Sequence, residues 1–319
     1  MADAVPLLDI TLWRDGPAER RAALAATMDE ALRRSGFLMI ENHGISASLR
    51  ESIRERARAF FALPRERKAR YATPVGGRGW IPPGGEANAF YGEVADPGRA
   101  DLKESLTIGR DFATGDPETD RLWFLPNVWP GECPGLREMC EEFTGQVREL
   151  YYDLLRMCAA ALGLDEDFFA GHVLDGPQTF NINRYPPRTV TGTPRDGQFR
   201  VAPHTDWGIL TILDRQPGYG GLQIQGLDGT WADAPYVPDA LTVNVADLLS
   251  RWSGGRWRST RHRVLPPPPQ APDEELISLI VFLEAEADTV IRPVAGDLSL
   301  APVVAGEWLA ERAAAATVS

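Results

Sequence analysis

The sequence predicts a mixed α/β protein with a mainly β core, a sandwich or jelly roll of short strands flanked by helices. Three observations predict it. After residue 179, seven short stretches of alternating or apolar character recur with Gly and Pro between them: Phe180–Tyr185, Gln198–His204, Gly208–Leu213, Gly221–Gln225, Ala240–Val245, Trp257–Val264 and Leu276–Leu283. Before it, a stripe of Leu136, Met139, Phe143, Val147, Leu150, Leu154, Met157 and Ala161 has the period of one long helix that backs a sheet. No composition shift or repeat marks a linker within the 319 residues. The expectation is one integrated domain over 1–319, helix-rich over 1–178, with the strand core and a C-terminal segment over 179–319.

The elements follow in order. Val5–Ile10 is short and apolar, as a strand is. Leu24, Met28, Ala31 and Leu32 give helical spacing over 18–35, and Gly36 stands where a terminating glycine belongs. Phe37–Ile40 reads as a buried strand. Ser48 and Glu51 form a capping box for a second helix whose apolar face is Ile53, Ala57, Phe60 and Phe61, closed by Pro64. Residues 74–99 hold too many glycines and prolines for a regular element. With Trp80, Phe90 and Tyr91 they read as a lid or binding loop. That loop lacks the Gly-Lys-Ser/Thr ending of a phosphate-binding loop, which excludes that nucleotide motif. The run Pro266–Pro269 is a connection, because proline cannot donate to a sheet ladder.

Apolar residues at 44% and charged residues at 24% are ordinary globular values, and the net charge is −12. An acidic surface repels phosphate backbones, so no nucleic-acid partner is expected. No apolar run is long enough to span a bilayer, and the first residues lack the basic and apolar regions of a signal peptide. The expected setting is cytoplasmic, without a membrane partner, as a monomer or weak homo-oligomer. Cys133, Cys140 and Cys158 show no paired spacing and read as reduced structural thiols.

Chemistry concentrates at two of the four histidines. His204-Thr205-Asp206 ends one expected strand, and two residues apart on an extended chain point to one face. His262 lies on another, and if that strand returns to the same face the set becomes two imidazoles and one carboxylate. This is the facial triad of non-haem Fe(II) oxygenases, which leaves coordination positions open. By itself the triplet is a weak signal, and a lone His is more often a hydrogen-bonded structural residue. A structural zinc site would close with a fourth protein ligand, often Cys.

The surrounding segments resemble the isopenicillin N synthase-like group of Fe(II)/2-oxoglutarate-dependent oxygenases over essentially the whole chain. They are Val5–Ile10, Gly36–Ile45 with its Asn42-His43-Gly44, Phe60–Pro64, Asp101–Ser105, Asn127–Pro130, Asn183–Pro187, His204–Asp206 and Ser259–Val264, in the expected order. The resemblance implies a double-stranded β-helix with iron between its sheets. It also implies His204, Asp206 and His262 as ligands, His43 as a structural residue of a turn, and His172 as a surface or helix-end residue. Asn183 and Tyr185 match positions that line the co-substrate pocket. The implied function is oxidation, most commonly hydroxylation, of a small molecule of secondary metabolism with Fe(II), 2-oxoglutarate and O₂. In the Asp101–Ser105 segment, Lys103 and Glu104 read either as a structural ion pair, the favoured reading, or as facing the substrate.

One position departs from the pattern. The family anchors the distal carboxylate of 2-oxoglutarate with Arg-x-Ser after the last His; here Ser278 is present, but Leu276 stands at the arginine's place. A guanidinium offers a bidentate, charge-assisted pair that leucine cannot, and breaking a buried pair costs on the order of 3–5 kcal/mol. A relocated anchor is therefore expected. Strand alternation nominates Arg200 and Arg258, each four residues before an expected ligand, and directs Arg184 away. The alternatives are an Fe(II) oxidase of the isopenicillin N synthase type that uses no 2-oxoglutarate, a catalytically silent metal- or ligand-binding jelly roll, and a zinc hydrolase.

Overall fold

The computed structural model describes residues 5–86, 99–219 and 221–316. Its strands are β1 (Leu7–Asp9), β2 (Phe37–Glu41), β3 (Gly79–Ile81), β4 (Glu104–Gly109), β5 (Gln178–Tyr185), β6 (Val201–His204), β7 (Leu210–Asp214), β8 (Leu222–Gln225), β9 (Trp231–Asp233), β10 (Leu241–Val245), β11 (His262–Val264), β12 (Leu276–Leu283), β13 (Val290–Ile291) and β14 (Val303–Val304). A large sheet has the order β1-β2-β10-β7-β12-β5-β4-β3 and a smaller one β6-β11-β8-β9. The core is thus mainly β with helices around it. All seven stretches expected after residue 179 contain a strand.

The large sheet has two unlike faces, as the alternation in its strands requires. Ile277, Leu279, Val281 and Leu283 of β12, with Leu210 and Ile212 of β7 and Phe180 and Ile182 of β5, join the main apolar core. The long helix Leu136–Ala161 closes that face with Phe143, Val147, Leu150 and Leu154. The other face carries Thr211, Asn244, Ser278, Asn183 and Ser105, all buried. It looks toward the smaller sheet, which it meets where the Phe37 and His262 rings pack edge to face at 5.5 Å. A half-polar gap between two sheets is where the site lies.

The helix expected over 18–35 spans Ala18–Arg34. The second starts at Ala47, and its cap is Ser46, whose Oγ accepts from the Leu49 N–H, rather than Ser48. Trp80 belongs to β3, buried, with its indole N–H donating to Glu104. It is a core residue, not part of a lid; Phe90 and Tyr91 lie outside the described residues. Cys133, Cys140 and Cys158 are buried free thiols.

Gly36 requires its freedom. Its φ is +70°, and a Cβ there would meet the Arg258 carbonyl oxygen at 2.1 Å and Thr260 Oγ1 at 2.9 Å. Gly36→Ala is therefore expected to destabilise the protein by about 1–3 kcal/mol, the usual cost of such backbone strain, read as a lower urea midpoint. An unchanged midpoint would show that the 258–260 segment yields.

Candidate metal centre

β11 runs antiparallel to β6 with His262 directly opposite His204, which brings distant parts of the chain together. Asp206 follows two residues after the end of β6, where its carbonyl accepts from the Asp247 N–H at 2.9 Å. The result is one cluster: one ligand atom from each of His204, Asp206 and His262, all within 4.8 Å of one another. The Nε2 atoms of His204 and His262 lie 3.5 and 3.7 Å from Asp206 Oδ1.

Each side chain is held by its back. His204 Nδ1 bonds the Ala202 carbonyl at 2.8 Å and His262 Nδ1 the Thr260 carbonyl at 3.1 Å. A carbonyl only accepts, so the proton sits on Nδ1 and the Nε2 lone pair faces the cluster. Asp206 Oδ2 accepts from Thr211 Oγ1 and from Asn244 Nδ2, the latter at 2.7 Å, leaving Oδ1 toward the imidazoles. Burial opposes ionisation of Asp206, but His262, His204 and Asn244 outweigh it and hold the carboxyl well below the ordinary range. Burial, with the neighbouring His204, pushes His262 down to about 4. Burial opposes the charged form of His204, but the nearby Asp206 carboxylate, the Ala202 carbonyl and Asp101 together outweigh it and raise its pKa. An ionised carboxylate and two back-bonded imidazoles, with no cysteine among the described members, suit Fe(II).

The remaining expected residues divide. Asn183 and Ser278 are cross-strand neighbours, and so are Tyr185 and Leu276. Ser105 Oγ donates to Asn183 Oδ1 at 2.7 Å, and the Tyr185 hydroxyl interacts with Asn183 and Ser278. Leu276 packs with Tyr185, Val201 and Val264 in a small apolar cluster at this end of the gap. Arg200 is at the same end, its guanidinium 5.6 Å from the Tyr185 ring centre. Its Nη1 and Nη2 already bond the Glu274 side chain at 2.8 Å and carbonyl at 3.0 Å, and Nε is unpartnered among the described residues. Arg258 does not share the ligands' strand: β11 begins only at His262, and the guanidinium donates to the Arg34 carbonyl at 2.7 Å on the neighbouring helix end. The alternation that nominated it stops short of it. Arg184 points away, bonded to Glu104 and Glu275. Lys103 and Glu104 do not pair with each other. Lys103 meets Glu86 at 2.5 Å, while Glu104 meets Lys68 and Arg184. His43 is structural, accepting from the Ile45 N–H and bonding the Asp239 carbonyl.

Sequence reasoning missed Thr211 and Asn244. Their only signal is that each is a polar residue between apolar neighbours in a strand, which also describes many residues without a role. It missed Glu284 as well. This buried carboxyl follows β12 and lies where a Cβ on Gly208 would be, and its Oε2 has no partner among the described residues. Burial, reinforced by the charge of Asp206, pushes it up to about 8 from 4.5. The folded state therefore keeps a proton that the unfolded chain loses, and stability falls as pH rises through that window. Glu284→Gln should remove the dependence, so its urea midpoint relative to the parent should improve from pH 5 to pH 8. A difference independent of pH would mean that Glu284 is ionised in the fold.

Known proteins match this chain throughout. The family described as non-haem dioxygenase in morphine synthesis N-terminal matches residues 5–132, and the 2OG-Fe(II) oxygenase superfamily matches residues 177–285. The chain is 36% identical to the validamycin A dioxygenase of Streptomyces hygroscopicus subsp. limoneus, over 98% of this chain and 86% of that protein. It is 33% identical to the proline hydroxylase buaE of Petromyces alliaceus, over 82% and 81%. Among solved structures, a full-length Neurospora crassa protein in complex with alpha-KG and thymine superposes with a TM-score of 0.83 at 27% identity, covering 98% of this chain and 96% of that one.

Proposed function

The chain belongs to the 2OG-Fe(II) oxygenase superfamily, and from that premise we propose that it hydroxylates a small polar molecule, with His204, Asp206 and His262 as the iron ligands. It is an Fe(II)- and 2-oxoglutarate-dependent dioxygenase, an oxidoreductase whose relatives include enzymes of secondary metabolism. The observation that carries the site assignment is the three-membered cluster with both imidazoles oriented from behind. The finer assignment is to the isopenicillin N synthase-like group, with a double-stranded β-helix in a single oxygenase domain over 1–319. The order of the sequence segments and the two facing sheets support it. The oxidase, silent-binder and zinc-hydrolase alternatives are not favoured, since the similar proteins are named dioxygenases and hydroxylases.

When bound, the iron and its co-substrate would supply the oxidising chemistry: O₂ is consumed, one atom entering succinate as 2-oxoglutarate loses CO₂ and the other entering a substrate C–H bond. The chain's residues position and protect. The Ala202 and Thr260 carbonyls fix both imidazoles, while Thr211 and Asn244 stop the Asp206 carboxylate from rotating. Phe37 packs its ring against His262 and keeps water from that side. Tyr185, Asn183 and Ser278 would receive the co-substrate at the Leu276 end, with a cation other than residue 276 meeting its distal carboxylate. Thr107 and Asn181, cross-strand neighbours on the polar face, each keep a buried oxygen without a partner among the described residues. Unpaired buried oxygens suit a hydroxyl- or amine-bearing substrate. The relatives named for validamycin A and proline are consistent with that chemistry.

The test is an anaerobic visible-absorbance titration of the metal-free protein with Fe(II) and then 2-oxoglutarate. A saturable metal-to-ligand charge-transfer band at one iron per chain is expected, and lost in His262→Ala. Iron binding that survives His262→Ala would overturn the ligand assignment.

A further inference from the structure

The missing arginine at residue 276 has a counterpart elsewhere at the same end of the gap. We propose that Arg215 is the relocated cation that binds the distal carboxylate of 2-oxoglutarate. This rests on the chain being an iron- and 2-oxoglutarate-dependent oxygenase with its co-substrate between the sheets.

Register places the residue. β7 and β12 are antiparallel with Asp214 opposite Leu279, the last pair of the ladder, and Arg215 is the residue that directly follows it. Alternation carried one residue past the end of β7 puts Arg215 on the face of Thr211, which bonds Asp206. Asp214, between them in phase, points the other way to Arg50 and Arg54. The guanidinium donates to the Pro235 carbonyl and lies 5.5 Å from the ring centre of Tyr236, which is 39% exposed. Pro235 follows Ala234, whose N–H bonds the Leu222 carbonyl, and Leu222 pairs with Val264. Val264 packs on the cluster of Tyr185, Val201 and Leu276. Arg215 therefore links the end of β7 to the segment that follows β9, on the side of the gap where Ser278, Tyr185 and Leu276 lie.

Its electrostatics single it out. Arg200 is neutralised by Glu274 and Lys103 by Glu86. Arg215 has no carboxylate partner among the described residues, and burial lowers its pKa to about 10. A desolvated guanidinium with one carbonyl acceptor retains donors for a carboxylate, and such charge-assisted forks are the strong ones.

The experiment compares two oxo-acids by the charge-transfer titration on Fe(II)-loaded protein: 2-oxoglutarate and 2-oxopentanoate, which carries a methyl group in place of the distal carboxylate. Wild type should prefer 2-oxoglutarate. Arg215→Ala should weaken 2-oxoglutarate about tenfold to a hundredfold, as loss of a charged hydrogen-bonded contact does. It should leave the 2-oxopentanoate affinity and the iron stoichiometry unchanged. Arg215→Lys, which keeps the charge without the fork, should recover part of the preference and guards against an effect of misfolding. Full retention of the preference in Arg215→Ala would overturn the proposal, and its loss in Arg200→Ala would move the anchor there. A wild-type protein that binds iron yet gives no band would overturn the co-substrate reading itself, a different failure from a band that ignores Arg215.

Discussion

Asp206→Ala is expected to abolish iron binding at micromolar metal and with it all turnover, while the fold survives. The carboxylate is the anionic member of the three, and without it two imidazoles face one another at a ring separation of 4.2 Å with nothing between them to favour a cation. The substitution also strands Thr211 Oγ1 and Asn244 Nδ2, whose shared acceptor is Asp206 Oδ2. Stability should fall by about 2–6 kcal/mol if both stay unpaired, since each stranded buried group costs about 1–3 kcal/mol. Equilibrium dialysis against Fe(II) measures the loss. Asn244→Ala provides the graded comparison: it leaves the three ligands in place but frees the carboxylate to rotate, and metal affinity should drop about 10–100-fold. Near-stoichiometric iron in Asp206→Ala would place the metal elsewhere.

The second large effect is on stability, on the opposite face of the same strand. Asp214 receives Arg50 at 2.9 Å on one oxygen and Arg54 at 2.6 Å on the other, with all three side chains no more than 6% exposed. Asp214→Ala leaves two buried guanidinium groups facing a void. Breaking one buried pair from a single side costs about 3–5 kcal/mol, and two guanidinium groups here lose their partner together. Asp239 and Glu51 compensate weakly because both are well exposed. Urea unfolding should show a loss of at least that size, much of it recovered when Arg50 and Arg54 are replaced by methionine as well. A loss below about 1 kcal/mol would mean that water reaches the network. Because Thr211 lies on the same strand as Asp214, iron affinity should weaken along with stability.

The chain's local order was largely legible. The long helix runs Leu136–Ala161, over the same residues as its apolar stripe, because a sustained period of 3.6 has one way to be buried. Two stretches read too long. Gln198–His204 yields β6 only from Val201, and Trp257–Val264 yields β11 only from His262; ahead of them the Phe199 carbonyl accepts from Leu102 and the Arg258 N–H bonds the Leu32 carbonyl. That shortening is what removed Arg258 from the ligands' strand. Trp80 read as a loop aromatic because glycines surround it, yet pairing with Leu106 draws it into the core.

The sequence by itself determined the three longest helices, the strand-rich half, the identities of His204, Asp206 and His262 as the residues with the right chemistry, and the absence of an arginine at 276. These are properties of period, composition and order, which are written locally. Only the tertiary structure decided which groups meet. The β6–β11 register sets His204 against His262, and Asn244 and Thr211 reach Asp206 from two other strands. Glu274 claims Arg200, while Arg215 is left without a counter-charge among the described residues. Pairing across strands depends on long-range register, and the state of a charge depends on what is buried beside it; neither has a signature in the residues that flank it.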